Sequence, residues 1–333
     1  MAGAARTRRI FTLTAALLAV LTAVSLLAGK YPISPSGLLA LLTGGAVPEM
    51  TARVFCTLRL PRTLMALLGG AGLGLAGGVY QTVFRNPLAS PDVIGVSSGV
   101  NLGAAAAIVL AGGGTAATAL GGFLGGLLAV SAVLALARAA GERRTVTYVL
   151  AGVVISSLSQ TGIMLLKYFA DSESRLAAIE YWAMGSLSAV TARRLLPVLP
   201  FWLAGFAGLL LLRRQIGLLS LNEDECRALG VPLGAVRRTV LALSTLLVAS
   251  VICVTGLISF AGLIAPHIAR LLLRRQNTAA LILGAMVGGA VLLAADILAR
   301  VLYAAELPVS ILTTLIGVPV LAALLYWTGR EEP

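Results

Sequence analysis

Residues 62–84 read RTLMALLGGAGLGLAGGVYQTVF. The stretch admits two folds. Gly72, Gly74 and Gly77 reproduce the G-x-G-x-x-G spacing of a dinucleotide-binding turn, and Asp92 follows at the distance where such folds place an acid for the ribose. That turn needs a strand before the glycines and a soluble βαβ unit around them. These glycines lie instead inside an apolar run long enough to cross a bilayer, which takes ~20 residues of helix. Gly70, Gly74 and Gly78 share one helical face, the small-x-x-x-small device that lets membrane helices approach closely. Gly121 with Gly125, and Gly284 with Gly288, repeat it. The stretch is read as a tightly packed membrane helix.

The remaining sequence agrees. The chain has 333 residues, of which 59% are hydrophobic and 11% charged; soluble domains run near ~45–50% apolar and ~25% charged. Further apolar runs fall at about 10–29, 93–112, 116–138, 145–167, 194–212, 239–257, 259–273, 278–299 and 308–328. The fold class expected is all-α: a polytopic membrane protein of about ten helices, forming one transmembrane domain over 1–333. The run 259–273 is short and holds Pro266. The run 10–29 exceeds a signal-peptide core of ~7–15 residues and ends in no small-x-small cleavage site, so it is read as an uncleaved first span.

The net charge of +12 does not indicate nucleic acid. Its arginines sit in small groups between apolar runs (Arg6/Arg8/Arg9, Arg143/Arg144, Arg213/Arg214, Arg237/Arg238, Arg274/Arg275), the spacing of topology determinants rather than of a binding stripe. Their distribution places both termini in the cytoplasm and the chain in the cytoplasmic membrane, solvated by lipid. Cys56, Cys226 and Cys253 then fall outside, inside and within the bilayer, so they are read as unpaired thiols.

Few residues suggest chemistry. A phosphate-binding loop needs lysine after glycine with a second glycine five residues earlier, and neither Lys30 nor Lys167 meets that pattern. If ATP drives this protein, another chain binds it. His267 has no partner ligands nearby and is read as structural, beside the bend expected at Pro266. No metal site is expected. Asp296 lies inside an apolar run, where an acid is either functional or paired locally, here with Arg300 one turn on. Arg59, Arg62 and Arg300 all fall at the outer face, either as solvated helix-end anchors or as a docking surface. The loop 213–238 reads as two short helices: Ser220 with Glu223 as a capping box, Gly230 as a C-terminal cap, and Pro232 opening the next helix.

At this point the sequence resembles a known family. Arg59-Leu60-Pro61-Arg62, Asn86-Pro87-Leu88-Ala89-Ser90-Pro91-Asp92-Val93-Ile94-Gly95-Val96-Ser97-Ser98-Gly99, Tyr181-Trp182-Ala183-Met184-Gly185-Ser186-Leu187, Ala228-Leu229-Gly230-Val231, Ser259-Phe260-Ala261-Gly262-Leu263-Ile264-Ala265-Pro266-His267 and Glu306-Leu307-Pro308 resemble the FecCD-type permeases. These are membrane subunits of type II ABC importers for iron–siderophores, haem and vitamin B12, and the resemblance runs through essentially the whole chain. It implies a vitamin B12 importer-like fold and a dimer of permeases, identical or paralogous. Two ATP-binding subunits would dock on the cytoplasmic side and a solute-binding protein on the other. The chain itself would be no enzyme and hold no cofactor, ATP and Mg being bound by the partner ATPase. The resemblance further implies docking at Arg59, Arg62 and Arg300, and ATPase coupling within 218–238 through Ser220, Glu223, Ala228, Leu229, Gly230 and Val231. Thr145, Val146 and Thr147 would lie near an inner gate. Asn222-Glu223-Asp224-Glu225-Cys226 is more acidic than that family pattern. The alternative is an ion-gradient-driven secondary carrier, which would show inverted repeats and broken helices; no clear internal repeat is legible in the sequence. A membrane-embedded enzyme would need clustered catalytic residues, and none appear.

Overall fold

The computed structural model describes residues 2–141, 145–170, 173–221, 223–228, 230, 232–275, 277–303 and 305–328, and among these there are helices and no strands. The helices are α1 (Ala2–Leu27), α2 (Pro35–Thr43), α3 (Glu49–Val54), α4 (Leu60–Val83), α5 (Val96–Leu110), α6 (Thr115–Ala139), α7 (Thr145–Tyr168), α8 (Glu173–Ala183), α9 (Ala192–Leu195), α10 (Leu199–Leu211), α11 (Arg213–Leu218), α12 (Glu223–Ala228), α13 (Leu233–Thr255), α14 (Ala261–Leu273), α15 (Thr278–Val301) and α16 (Val309–Thr328). The ten apolar runs correspond one for one to α1, α4, α5, α6, α7, α10, α13, α14, α15 and α16. Among the described residues, six helical spans are long and apolar enough to cross a bilayer, and four apolar helices are shorter. Arg143 and Arg144, among the topology determinants, lie outside the described residues.

The interior is built on α4, buried along most of its length. It packs against α15, α14 and α13. The glycine faces make the closest of these contacts. A β-carbon at Gly70 would overlap the Gly288 carbonyl, one at Gly74 the Gly284 carbonyl, and one at Gly288 the Gly70 carbonyl. Gly121 and Gly125 of α6 meet Gly99 and Gly103 of α5 in the same way. In lipid, where apolar burial gives no preference for helix over bilayer, such backbone contact supplies the association energy through dispersion.

The helices run as two antiparallel groups of opposite sense. In the first, α4 descends from the end that carries Arg59, α5 returns, α6 descends and α7 returns. In the second, α13 rises toward that end, α14 descends, α15 rises and α16 descends. The groups interlock, with α4 against α14 and α15, and α13 against α5 and α6. This inverted repeat, not legible in the sequence, is carried by packing rather than by residue identity.

The second helix of each group, α5 and α14, is short: 15 and 13 residues. At ~1.5 Å per residue neither covers the ~30 Å hydrocarbon layer, so each is preceded by irregular backbone inside the bundle. Such backbone is stable only where protein satisfies it. Before α5, the turn Pro91–Ile94 is seated against α7, where a β-carbon at Gly152 would overlap the Val93 carbonyl. Before α14, Ser310 Oγ of α16 donates to the Leu257 carbonyl (2.6 Å) and accepts from the Ser259 amide (3.3 Å).

Candidate functional site

At one end of the bundle three arginines converge, and their positions follow from two local features. The first is a π-helical turn, Phe55–Arg59, between α3 and α4. It ends on Arg59, three residues before Arg62 in the first turn of α4, and both side chains are buried. π-turns of this kind cluster at functional sites. The second is the close α4–α15 contact, which brings Arg62 against Asp296 and Arg300 on the last turns of α15.

The contacts form one network. Arg62 Nε donates to Asp296 Oδ1 and its Nη1 to Glu306 Oε2, both at 2.8 Å. Arg300 Nη2 lies 2.9 Å from Asp296 Oδ2 as an ion pair without hydrogen-bond geometry. The same nitrogen donates to Ser25 Oγ at 2.8 Å, and Arg300 Nη1 donates to the Ser25 and Ala28 carbonyls at 3.1 and 3.2 Å. Ser25 Oγ also shares a 2.8 Å hydrogen bond with Thr63 Oγ1, in which either hydroxyl can donate. These carbonyls belong to the C-terminal end of α1, where unsatisfied acceptors and the helix dipole favour a cation.

Arg59, Arg62 and Arg300 are 6%, 8% and 6% exposed, so none is a solvated helix-end anchor. Asp296 is 0% exposed, whereas the Glu306 side chain is 25% exposed. Asp296 makes the local pair with Arg300 expected from the sequence, and it binds Arg62 as well. Three guanidiniums face two carboxylates, leaving one positive charge in excess. That excess rests on Arg59, whose Nη2 donates to the Tyr31 carbonyl at 2.9 Å while its Nη1 is buried without a partner. Gly29, at φ +146°, leaves the space for this guanidinium; a β-carbon there would overlap it. A buried cationic surplus with an unused donor can accept a carboxylate from outside.

Sequence reasoning did not bring Glu306, Ser25, Gly29 or Tyr31 to this site. Glu306 was legible only as part of the Glu306-Leu307-Pro308 motif, and the carbonyl acceptors carry no sequence signal at all.

The loop 213–238 lies at the opposite end. It holds two short helices, but they are α11 and α12; the helix that opens at Pro232 is the long span α13 rather than the second short helix expected. Arg85, at the foot of α4, donates to the Leu219 and Leu221 carbonyls and ties the loop to the central helix. Ser220 does not stand at the N-cap expected of it: α12 opens at Glu223, two residues too late, and Ser220 Oγ donates back to the Gly217 carbonyl at 2.7 Å. Gly230 has φ +71°, the left-handed geometry of a helix-ending glycine. Ala228 is exposed. Leu229 and Val231 lie outside the described residues. Thr145, Val146 and Thr147 form the first turn of α7, with Val146 61% exposed. His267 lies one residue past Pro266, with Nδ1 3.3 Å from Arg270 Nη2. The three cysteines are free.

The sequence profile of the FecCD transport family matches residues 17–327. The chain is 38% identical over 329 residues to the molybdate import system permease protein MolB of Haemophilus influenzae, covering 96% of each chain. It is 37% identical over 273 residues to the cobalamin import system permease protein BtuC of Halobacterium salinarum, covering 82% of this chain and 73% of that one. Among solved structures, a metal-chelate type ABC transporter in an inward-facing conformation superposes with a TM-score of 0.86 at 34% identity, over 96% of this chain and 99% of the other.

Proposed function

The chain belongs to the FecCD transport family as a multi-pass ABC transporter permease, and from that premise we propose that it is one of two permease subunits of an ATP-driven importer of the cytoplasmic membrane. The arginine end faces outward and the α11–α12 end faces the cytoplasm, with both termini cytoplasmic. The observation that carries the reading is the whole-chain match in structure, combined with two chemically distinct surfaces at opposite ends of one bundle. The ion-gradient-driven carrier gives way to it. An inverted repeat alone would suit either, but the family is one of ABC permeases.

At the outer end, carboxylates of a solute-binding protein reach the surplus positive charge at Arg59 and Arg62. Asp296 is too buried to leave, so the exchangeable counter-ion is Glu306, the only partly exposed acid of the network. An incoming carboxylate replaces it on Arg62 through charge-assisted bonds. At the cytoplasmic end α11, α12 and Gly230 seat in an ATPase subunit, a separate chain that binds ATP and Mg. Ser220, Glu223 and Ala228 lie in that surface. Thr145, Val146 and Thr147 stand where α7 leaves the cytoplasmic side and form the inner gate.

The cargo is a metal chelate of the iron–siderophore, haem or cobalamin type. A second reading, a molybdate-like oxyanion, is favoured by the 38% identity to MolB across nearly the full chain. The test is uptake into proteoliposomes holding this chain, its ATPase and its binding protein, with ferric siderophores, haem, cobalamin and molybdate each supplied. ATP-dependent uptake of one of these is expected. Uptake that proceeds without the ATPase, or follows an imposed ion gradient, would overturn the reading.

A further inference from the structure

Two helices of the bundle share a neighbour without closing on each other. α6 and α10 both pack on α13 but hardly touch one another, and the space left between them is a cavity of about 700 Å³. Its lining takes in the first turns of α6, the last residues of α13 and parts of α8 and α9, so it lies at the end of the bundle that carries Arg59. Thr115, Ala119 and Phe123 line it at four-residue spacing, one face of α6. From Thr115 to Phe123 that wall runs about 12 Å. At its deep end Phe123 meets Phe201 of α10, with ring centroids 4.9 Å apart. Leu120 and Phe201 flank the gap and are 59% and 45% exposed, so the cavity opens sideways onto the face that meets lipid.

The same cavity is basic at its other end. Arg193 and Arg194 of α9 line it just before the chain enters α10, beside the hydroxyls of Thr115 and Thr191. Arg193 is exposed and Arg194 half-buried. Neither has a hydrogen-bond or ion-pair partner among the described residues, and no lining residue is an acid. An unpaired, half-buried guanidinium favours an anion. A free phosphate would satisfy the arginines and leave the apolar space empty. A neutral lipid would fill the space and leave the arginines unpaired. A lipid with an anionic headgroup does both, and basic pockets between membrane helices recognise such headgroups.

We propose that this cavity is a binding site for an acidic phospholipid such as phosphatidylglycerol. Its phosphate lies at Arg193 and Arg194, and one acyl chain runs between α6 and α10 down to Phe123 and Phe201. The chain supplies the packing that α6 and α10 do not make with each other, and it covers Trp182 of α8 on the opposite wall. In the orientation proposed above the lipid belongs to the outer leaflet, but the inference does not depend on cargo or on partner subunits.

The experiment is native mass spectrometry of the purified chain in detergent, titrated with phosphatidylglycerol or phosphatidylcholine. Wild type is expected to retain phosphatidylglycerol with about tenfold preference, the scale set by two basic side chains at a lipid phosphate. R193Q/R194Q should lose that preference while binding phosphatidylcholine as before, and R193K/R194K should keep much of it. Ala119→Trp fills the cavity and leaves both arginines in place, so it should lower retention of both lipids several-fold. An undiminished preference in R193Q/R194Q, wild-type retention in Ala119→Trp, or displacement of the lipid from wild type by millimolar glycerol phosphate would each overturn the proposal.

Discussion

Asp296→Asn tests whether the arginine network holds the permease together. Asp296 is 0% exposed and engages two guanidiniums, Arg62 at 2.8 Å and Arg300 at 2.9 Å. An amide of the same shape offers one acceptor oxygen and turns an NH2 group toward the other guanidinium. One arginine then loses its counter-charge inside the bundle, where Arg59 already carries an unpartnered nitrogen. Breaking a buried pair by removing one partner costs about 3–5 kcal/mol, because the remaining charge is left uncompensated. Glu306→Gln removes a charge from the same network, but at a side chain 25% exposed, where water screens the loss to about 1 kcal/mol or less. Equilibrium unfolding of both variants in mixed micelles with rising dodecyl sulfate measures the difference directly. A large loss is expected for Asp296→Asn and a small one for Glu306→Gln. If Asp296→Asn lost less than about 1 kcal/mol, or if the two variants lost equally, the network would not be the buried, Asp296-centred structure described.

Glu306→Gln should also raise binding-protein affinity several-fold, measured by surface plasmon resonance on the reconstituted complex, since it removes the carboxylate that competes for Arg62; weaker binding would show that Glu306 is not the exchangeable counter-ion. Gly29→Val should displace the Arg59 guanidinium and lower that affinity while leaving basal ATP hydrolysis intact, and a variant with normal docking would remove Arg59 from the site. Gly230→Pro cannot adopt φ +71° and should uncouple ATP hydrolysis from transport in vesicles, although the subunit still inserts; unchanged transport argues against coupling at this loop. Cysteines replacing Arg138 and Glu173 should react with impermeant maleimide only from the cytoplasm and only from outside, respectively, and the reverse pattern would invert the orientation. Gly74→Leu should reduce the yield of folded protein through backbone overlap at Gly284, an overpacking cost of about 1–3 kcal/mol or more, read by size-exclusion of the solubilised protein.

Burial makes one obvious test unsuitable. Reversing the charge of Arg59 and Arg62 would place carboxylates beside Asp296, so loss of transport would report misfolding as readily as lost docking. Substitutions at Glu306 and Gly29 separate the two.

The spans were legible because the free energy of moving a helix into a bilayer depends on its own residues. The run 62–84 became α4 at Leu60–Val83, and 145–167 became α7 at Thr145–Tyr168. The small-x-x-x-small faces were legible for the same reason: Gly70 and Gly74 can serve only a close contact, although the sequence did not say that Gly284 and Gly288 would be the other side of it. The Asp296–Arg300 pair follows from helical spacing alone. The short helices α2, α3, α8 and α9 were not found, since they are too short for an apolar run to mark them. Tertiary structure alone decided which groups share the arginine site. Arg62 and Asp296 are separated by 234 positions, and Arg300 and the Ser25 carbonyl by 275. A backbone carbonyl has no residue identity to recognise, and a carboxylate as distant as Glu306 becomes a partner only when α4 and α15 pack through their glycines. The sequence therefore determined that this chain crosses the membrane, and where. Whether its buried charges are balanced, and by which atoms, depends on helix contacts that no local pattern encodes.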